Sequence, residues 1–184
     1  LTSEYNRWRD SLQRVPTDTG ASIAGWRDLT PAGGIADAPR WLNDSTLIYN
    51  ATSGRASFAA YTIALGADSG SRPKPSRLRR GDTDGANVAL ANGALVFARL
   101  EYSSPYDLRS DLYLESPNGA TRRITKGERL SNPDVRADLR IVVMQTIPGA
   151  TRLAVVSADE RTITPLTHGD ETEMWTEPRW SPDG

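Results

Sequence analysis

A single histidine limits the acid–base chemistry that this 184-residue chain could perform. A Ser-His-Asp triad or a two-histidine zinc motif would have to be built on His168, because the sequence holds no other imidazole. The sequence also has no G-x-S-x-G nucleophile elbow, no H-E-x-x-H zinc-protease motif and no Walker loop. We interpret His168 as a turn residue with a structural or exposed role. We therefore predict that the chain has no catalytic residues and is not an enzyme by itself.

Two charged clusters could bind ions or nucleic acid, but neither carries enough of the required pattern. Asp82 and Asp84 lie two residues apart between glycines, whereas a calcium loop supplies several more oxygen ligands at set spacing. Arg77, Arg79 and Arg80 have no interleaved aromatic residues, and the formal net charge is -1. The chain has no cysteine, which excludes disulfides and thiolate metal sites. We predict an acidic surface turn and a solvated strand end, with no cofactor, no metal and no nucleic-acid partner.

The hydropathy pattern contains no candidate transmembrane segment. The longest aliphatic runs are short, as at residues 141–144, and a membrane helix needs about 18 or more apolar residues. Any membrane association is therefore expected to be peripheral. The chain starts at Leu1 rather than at a methionine and stops on a turn motif, so we expect a mature product or part of a longer polypeptide.

The elements that must position these residues are one helix and many short strands. Residues 3–14 are predicted to be helical, with Ser3 as a candidate N-cap and Pro16 ending the pattern. The apolar residues of this helix recur at helical spacing: Tyr5, Trp8, Leu12 and Val15. Beyond it, apolar runs of four to six residues alternate with Gly and Pro, which predicts an all-β fold.

An internal repeat organises these strands. The segment that begins at Pro39 aligns without gaps with segments beginning at Asn87, Pro133 and Pro178, so the anchors are spaced 48, 46 and 45 residues apart. Four-stranded propeller blades have repeats of about 40–50 residues. The three complete repeats share apolar columns of an inner strand: Leu47, Leu95 and Ile141, then Ile48, Val96 and Val142, then Tyr49, Phe97 and Val143.

Further landmarks support the repeat. Each anchor follows a turn in which an apolar residue, one or more polar residues and a glycine occur in that order, at residues 29–33, 78–81, 124–127 and 166–169. The third strands of the blades are predicted at residues 60–65, 111–115 and 152–156, and the fourth strands lead into these turns. Two independent landmarks with one period predict three similar sheets in succession.

The repeat resembles a known family. The stretch Pro178-Arg179-Trp180-Ser181-Pro182-Asp183-Gly184 is similar to the WD40-like repeat of TolB-type β-propellers, and Pro39-Arg40-Trp41-Leu42-Asn43-Asp44 is a degraded copy. The second repeat departs from the family pattern, with Asn87 where proline is usual. The resemblance implies an all-β, incomplete β-propeller of three four-stranded blades plus the first strand of a fourth. Residues 1–21 would form an N-terminal helix and linker, and residues 22–184 the partial propeller.

The resemblance favours a binding role over catalysis. TolB-type propellers occur as periplasmic protein-binding modules and as non-catalytic domains of tricorn-like and prolyl-oligopeptidase-like peptidases. Three blades and one strand cannot close a ring, so their open faces would need further blades or a protein partner. Our first hypothesis is a non-catalytic extracytoplasmic scaffold, an extrinsic subunit of a larger assembly such as a respiratory or photosynthetic membrane complex. The alternative is a propeller fragment of a larger bacterial peptidase, and a small-ligand or glycan-binding propeller ranks third.

Two insertions depart from the blade pattern. Residues 66–76 are predicted to be a polar, mobile loop, and residues 99–110 a projecting loop that carries Tyr102 and Tyr106. Because tyrosine is enriched at interface hot spots, these two residues are candidate partner contacts, together with Tyr5 and Trp8 of the helix. The alternative for the tyrosines of the loop is packing onto their own blade.

Overall fold

The computed structural model describes residues 2–13, 29–30, 34–66, 73–78, 83–181 and 183. Within these residues the chain forms helix α1 (Thr2–Gln13) and three antiparallel four-stranded sheets. Sheet 1 contains β1 (Ile35–Asn43), β2 (Thr46–Thr52), β3 (Ala59–Ala64) and β4 (Ser76–Arg77). Sheet 2 contains β5 (Thr83–Ala89), β6 (Leu95–Ser104), β7 (Asp107–Glu115) and β8 (Thr121–Arg123). Sheet 3 contains β9 (Leu130–Val135), β10 (Ile141–Ile147), β11 (Ala150–Val156) and β12 (Ile163–Pro165).

The predicted helix and all-β class are confirmed. Helix α1 starts one residue before Ser3, so Ser3 lies in the first turn and the N-cap prediction is wrong, because the polar residue Thr2 is already helical. Val15, Pro16 and most of the predicted linker lie outside the described residues. No helix in the described part of the chain has the length and apolar composition that a transmembrane span requires.

Neighbouring strands in each sheet are consecutive in sequence, as expected for strands joined by short turns. The turns begin at polar residues whose side-chain oxygens accept a backbone N–H two positions ahead: Asn92 accepts from Ala94 at 3.0 Å, and Asp138 accepts from Arg140 at 3.2 Å. The predicted third strands appear as β3, β7 and β11, and all three start earlier than predicted, β3 by one residue, β7 by four and β11 by two. Local turn chemistry therefore positions most strands of the repeat.

The apolar columns occupy the inner strands as predicted. All of their members are buried except Leu47, which is half-buried. The cross-strand partners of Ile48, Val96 and Val142 are the residues directly after the anchors: Arg40, Val88 and Asp134. The three sheets therefore share one register, and the spacing of the anchors reflects a real structural repeat.

Each first strand contains a β-bulge at its anchor. The bulge places a residue in the left-handed region: Ala38 at φ 48°, Gly85 at φ 78° and Asn132 at φ 50°. In β1 and β9 this residue directly precedes the anchor proline, whereas in β5 the bulge is one residue longer and Gly85 lies two before Asn87. The extra residue accounts for the longer spacing before Asn87 than after it, and for the departure of this repeat from the pattern.

The turns at the end of each sheet are also equivalent. The backbone N–H groups of Leu78, Ile124 and Leu166 each donate, at 2.8 Å, to a carbonyl on the third strand of their sheet. In sheets 2 and 3 the following threonine adds a second bond, since Thr125 and Thr167 accept from the backbone N–H of Leu112 and Leu153 at 3.0 Å and 2.9 Å. Residues 31–33 and 79–81 of the other two turns lie outside the described residues.

The predicted first strand of a fourth blade is not formed. Residues 171–181 form no strand, because no described segment forms a hydrogen-bonded ladder with them. The segment nevertheless keeps the left-handed residue at the same place, Glu177 at φ 47° before a buried Pro178. It docks against sheet 3, where the backbone N–H of Trp180 donates to Asp134 Oδ2 at 2.8 Å and the Arg136 guanidinium lies 5.5 Å from the indole ring.

The best-packed core lies between sheets 2 and 3. Val96, Ala98 and Leu112 of sheet 2 pack against buried residues of sheet 3, namely Leu130, Ile141, Val143, Ala154 and Val156. Sheet 1 contacts sheet 2 through β5, and sheet 2 contacts sheet 3 through β9, so the first strands are central to both interfaces. In the part of the chain that the structure describes, the three sheets do not close into a ring.

Candidate functional site

The predicted projecting loop is a β-hairpin. Residues 99–110 do not form an irregular loop, because β6 and β7 pair continuously from Leu95↔Glu115 to Tyr102↔Leu108, and only Pro105 and Tyr106 form the turn. The loop prediction is therefore wrong. The sequence did contain the signal, because apolar and polar residues alternate on both sides of Pro105, which is the pattern of a hairpin.

The base of the hairpin is held by ion pairs. Arg99 pairs with Glu101, and Arg123 of β8 reaches the same carboxylate at 3.3 Å. The Arg99 guanidinium also lies 4.2 Å from the ring centroid of Tyr113, within the range of a cation–π contact. Near the turn, Arg109 Nε donates to Asp107 Oδ2 at 2.6 Å, and Arg109 Nη1 donates to the carbonyl of Gly127 at 3.2 Å. These contacts connect both strands of the hairpin to the body of sheet 2.

The hairpin tip, defined here as residues 102–108, exposes three apolar side chains. Tyr102 is 75% exposed, Tyr106 is 98% exposed and Leu108 is 49% exposed. Tyr102 and Leu108 are cross-strand partners, so their side chains lie on one face of the hairpin. Sequence reasoning identified the two tyrosines but missed Leu108. The alternative prediction, that the tyrosines pack onto their own blade, is wrong because nothing in the described residues covers them.

The turn of the tip is ordered by hydrogen bonds within it. The Ser103 hydroxyl donates to the Asp107 carbonyl at 3.0 Å, and the Tyr106 N–H donates to Ser104 Oγ at 3.4 Å. Arg109 and the Ser103 hydroxyl hold the pKa of the Asp107 carboxyl below its ordinary value, with the Arg109 hydrogen bond as the larger cause. A tip that is already ordered loses little conformational entropy when it binds a partner.

A buried carboxylate fixes the loop beneath the hairpin. Asp111 has no exposed surface and accepts hydrogen bonds from the N–H of Gly127 at 2.7 Å and from Arg123 Nη2 at 2.5 Å. The Glu128 N–H and the Thr125 hydroxyl donate to its other oxygen at 3.1 Å and 2.9 Å. Burial by itself raises the pKa of Asp111, but these donors outweigh it and hold the pKa below its ordinary value.

The other predicted contact residues are not brought to the hairpin. Tyr5 is 58% exposed on α1, and α1 makes no extensive contact with any described strand. The side chain of Trp8 lies outside the described residues. The structure therefore groups Tyr102 and Tyr106 in one surface and leaves Tyr5 apart from it.

The residues considered for catalysis and metal binding are dispersed. His168 is exposed in the turn after β12. Asp82 lies outside the described residues, and Asp84 is half-buried on β5, where burial raises the pKa of its carboxyl. Among the described residues, no three His, Cys, Asp or Glu side chains are grouped so that they could hold a metal ion. The hairpin tip is therefore the candidate functional site.

No model of a known protein family matches the chain, and no curated protein matches it either.

Proposed function

We propose that this protein is a non-catalytic interaction module that binds a protein partner through the hairpin tip. The observation that carries the proposal is the exposure of Tyr102, Tyr106 and Leu108 on an ordered hairpin beyond the sheet. Aromatic side chains on an ordered element contribute large contact area with little loss of conformational freedom. Apolar side chains of this size are costly to leave in water, and a partner would cover them.

We further propose that the three sheets are blades of an open β-propeller of the TolB type. Three observations support it: the common register of the anchors, the equivalent bulges of the first strands, and the contacts of β5 with sheet 1 and of β9 with sheet 2. Four-stranded sheets that follow one another with their first strands in contact are typical of blades around an axis. The Glu177–Trp180 segment supports this proposal, because it keeps the left-handed residue before its anchor proline and contacts Asp134 of sheet 3, as the first strand of a next blade would.

An extracytoplasmic location and attachment to a larger assembly complete the proposal. Both follow from the resemblance to TolB-type repeats together with the exposed apolar tip. In such an assembly the propeller would be an extrinsic subunit, and the chemistry would belong to other chains.

An affinity capture experiment tests the role of the hairpin tip. The full chain, immobilised, is exposed to an extracytoplasmic extract of the source organism, and retained proteins are identified by mass spectrometry. The Tyr102→Ser/Tyr106→Ser double variant is expected to lose a specifically retained protein by tenfold or more, since each hot-spot aromatic contributes about 2 kcal/mol. The Leu139→Ser variant is the matched control, because Leu139 is 53% exposed on a turn of sheet 3.

The outcome distinguishes specific binding at the hairpin tip from nonspecific adsorption of proteins to exposed apolar residues. Loss in the double variant with retention in the control supports the proposal. Equal retention by the double variant and the wild-type chain would contradict it, provided that circular dichroism shows both folded. Peptide hydrolysis by the purified chain would contradict the non-catalytic part of the proposal.

A further inference from the structure

Sheet 2 has an asparagine followed by a glycine in both of the turns that lie at the end opposite the hairpin tip. Asn92–Gly93 lies between β5 and β6, and Asn118–Gly119 lies between β7 and β8. All four residues are exposed, and the sequence contains no other Asn-Gly pair. In such a pair the backbone nitrogen of the glycine can attack the side-chain amide carbon of the asparagine, because glycine has no Cβ to block the approach.

The folded turns hold both reacting groups in hydrogen bonds. In each turn the asparagine Oδ1 accepts from the backbone N–H two positions ahead at 3.0 Å. The glycine N–H donates to the carbonyl three positions behind it, at 2.9 Å for Gly93 and 2.8 Å for Gly119. The glycine nitrogen must lose its proton and this hydrogen bond before it can attack, so the reaction rate depends on how often each turn opens.

The turn between β7 and β8 is the less restrained of the two. Gly93 packs against this neighbouring turn, since a Cβ added there would lie 3.6 Å from Pro117 Cγ, and Ala94 is buried. No described residue lies within 4 Å of a Cβ added at Gly119, and Ala120 is exposed. The strand that follows, β8, has only three residues and lies at the edge of the sheet, whereas β6 has a neighbour on each side. Because segments with few buried contacts open most easily, we expect the turn between β7 and β8 to open more often.

Sheet 3 shows that an aspartate fits this kind of turn. Asp138 takes the place of Asn92, and its Oδ1 accepts from the N–H of Arg140 at 3.2 Å. The next residue, Leu139, has a φ of 67° and donates its N–H to the carbonyl three positions behind it at 2.9 Å. An aspartate therefore preserves the hydrogen bonds of the turn, and a leucine can take the place of the glycine.

We propose that Asn118 is a site of spontaneous deamidation that reacts faster than Asn92 in the folded chain. The Gly119 nitrogen forms a bond to Asn118 Cγ, and the bond from Cγ to the amide nitrogen breaks. The amide nitrogen leaves as ammonia with the proton of the Gly119 N–H, which gives a succinimide ring. Water then adds to one of the two ring carbonyls and opens the ring to aspartate or isoaspartate. The net reaction consumes water, releases ammonia and involves no oxidation.

The product carries a new charge on the surface of sheet 2. An exposed aspartate has a pKa of about 3.9, so a neutral amide is replaced by a carboxylate at pH 7. The site lies at the opposite end of sheet 2 from the hairpin tip and does not depend on the role proposed for the tip.

Peptide mapping by mass spectrometry of the full wild-type chain tests the proposal. The folded chain is incubated at mildly alkaline pH in water enriched in oxygen-18, so that opening of the succinimide labels each new carboxylate. We expect conversion at Asn118 to be about tenfold faster than at Asn92, which corresponds to about 1.4 kcal/mol between the opening free energies of the two turns. In urea concentrated enough to unfold the chain, the two rates should become similar, because both pairs are followed by alanine and the turns are lost.

Two variants separate the chemistry from the fold. The Gly119→Leu variant copies the Asp138–Leu139 turn and is expected to slow conversion at Asn118 to the rate at Asn92 or below it. The Asn118→Asp variant is the standard for the aspartate product and is expected to melt at the same temperature as the wild-type chain.

The decisive comparison uses the unmodified chain and does not depend on any variant folding. Equal rates at the two sites in the folded wild-type chain, or faster conversion at Asn92, would overturn the proposal. So would the absence of label at Asn118 in the folded chain over a period in which the unfolded chain is converted completely.

Discussion

Asp111 contributes to stability only while its carboxyl group is ionised. Its hydrogen bonds to Gly127, Glu128, Thr125 and Arg123 need a negatively charged acceptor, and they hold the pKa below its ordinary value. The unfolded chain has the ordinary aspartate pKa of about 3.9. The stabilisation is therefore fully present above about pH 4 and is lost as the pH falls from there through the lower pKa of the folded state.

The Asp111→Asn variant tests this assignment. At pH 7 it should be less stable than the wild-type chain by about 2–4 kcal/mol, because buried donors lose a charged acceptor. Below about pH 4 the difference between the two should shrink, since the wild-type carboxyl becomes protonated. Urea unfolding at a series of pH values measures the difference, with the exposed Asp44→Asn as control. A constant difference from pH 7 to pH 2 would show that Asp111 does not titrate in this range.

Gly85 is required where the bulge of β5 meets the next sheet. Its φ is 78°, and a Cβ added there would lie 2.3 Å from Asn132 Oδ1 and 2.8 Å from the backbone nitrogen of the same residue. Gly54 has a similar φ of 79° but nothing within 4 Å of an added Cβ. The two glycines therefore separate the cost of the left-handed conformation from the cost of close contact between sheets.

Substitution of both glycines by alanine measures these costs. Gly54→Ala should destabilise the chain by about 1 kcal/mol, the cost of the left-handed region for a residue with a Cβ. Gly85→Ala should cost about 2–4 kcal/mol, because overpacking against Asn132 adds to that strain. Equal destabilisation of the two variants in urea unfolding would contradict close packing of the bulges of sheets 2 and 3.

At the scale of the elements, sheets 2 and 3 share the most extensive apolar contact. Leu130 has no exposed surface and belongs to the first strand of sheet 3, where it packs with Leu112 and Val143. Leu130→Ala should destabilise the chain by about 2–5 kcal/mol, the usual range for a buried leucine, whereas exposed Leu139→Ala should cost about 0.5 kcal/mol or less. Thermal unfolding followed by circular dichroism measures both. A small effect of Leu130→Ala would mean that the sheets do not share a packed core.

Sequence reasoning predicted the strands because their signals are local. The columns that contain Ile48, Val96 and Val142 fixed the inner strands, and the turns at Asn92 and Asp138 fixed two of the connections. The extension of β6 and β7 into one long hairpin was missed although apolar and polar residues alternate there, because that alternation gives no continuous apolar run like those of the inner strands. The strand expected at Pro178 depends on a partner strand, which local sequence does not specify.

The candidate sites were less predictable than the fold. Tyr102 and Tyr106 were identified by residue type alone, whereas Leu108 joined them only through cross-strand pairing.

At the scale of the whole molecule, three similar sheets differ in what they expose. Sheets 2 and 3 share a buried apolar core, and sheet 2 also projects the hairpin tip. Repetition of one architecture with local departures gives each sheet a different surface. The proposed partner-binding site, the hairpin tip, is one of these local differences and is not part of the shared repeat.

Hydrogen–deuterium exchange of the full chain, alone and bound to the protein retained in the capture experiment, shows whether the hairpin tip contacts the partner. We expect binding to slow exchange in residues 99–110, where the hairpin tip and its base lie, with little change at the turn around Leu139. Slowed exchange confined to other parts of the chain, with residues 99–110 unchanged, would contradict the assignment of the hairpin as the partner-binding site.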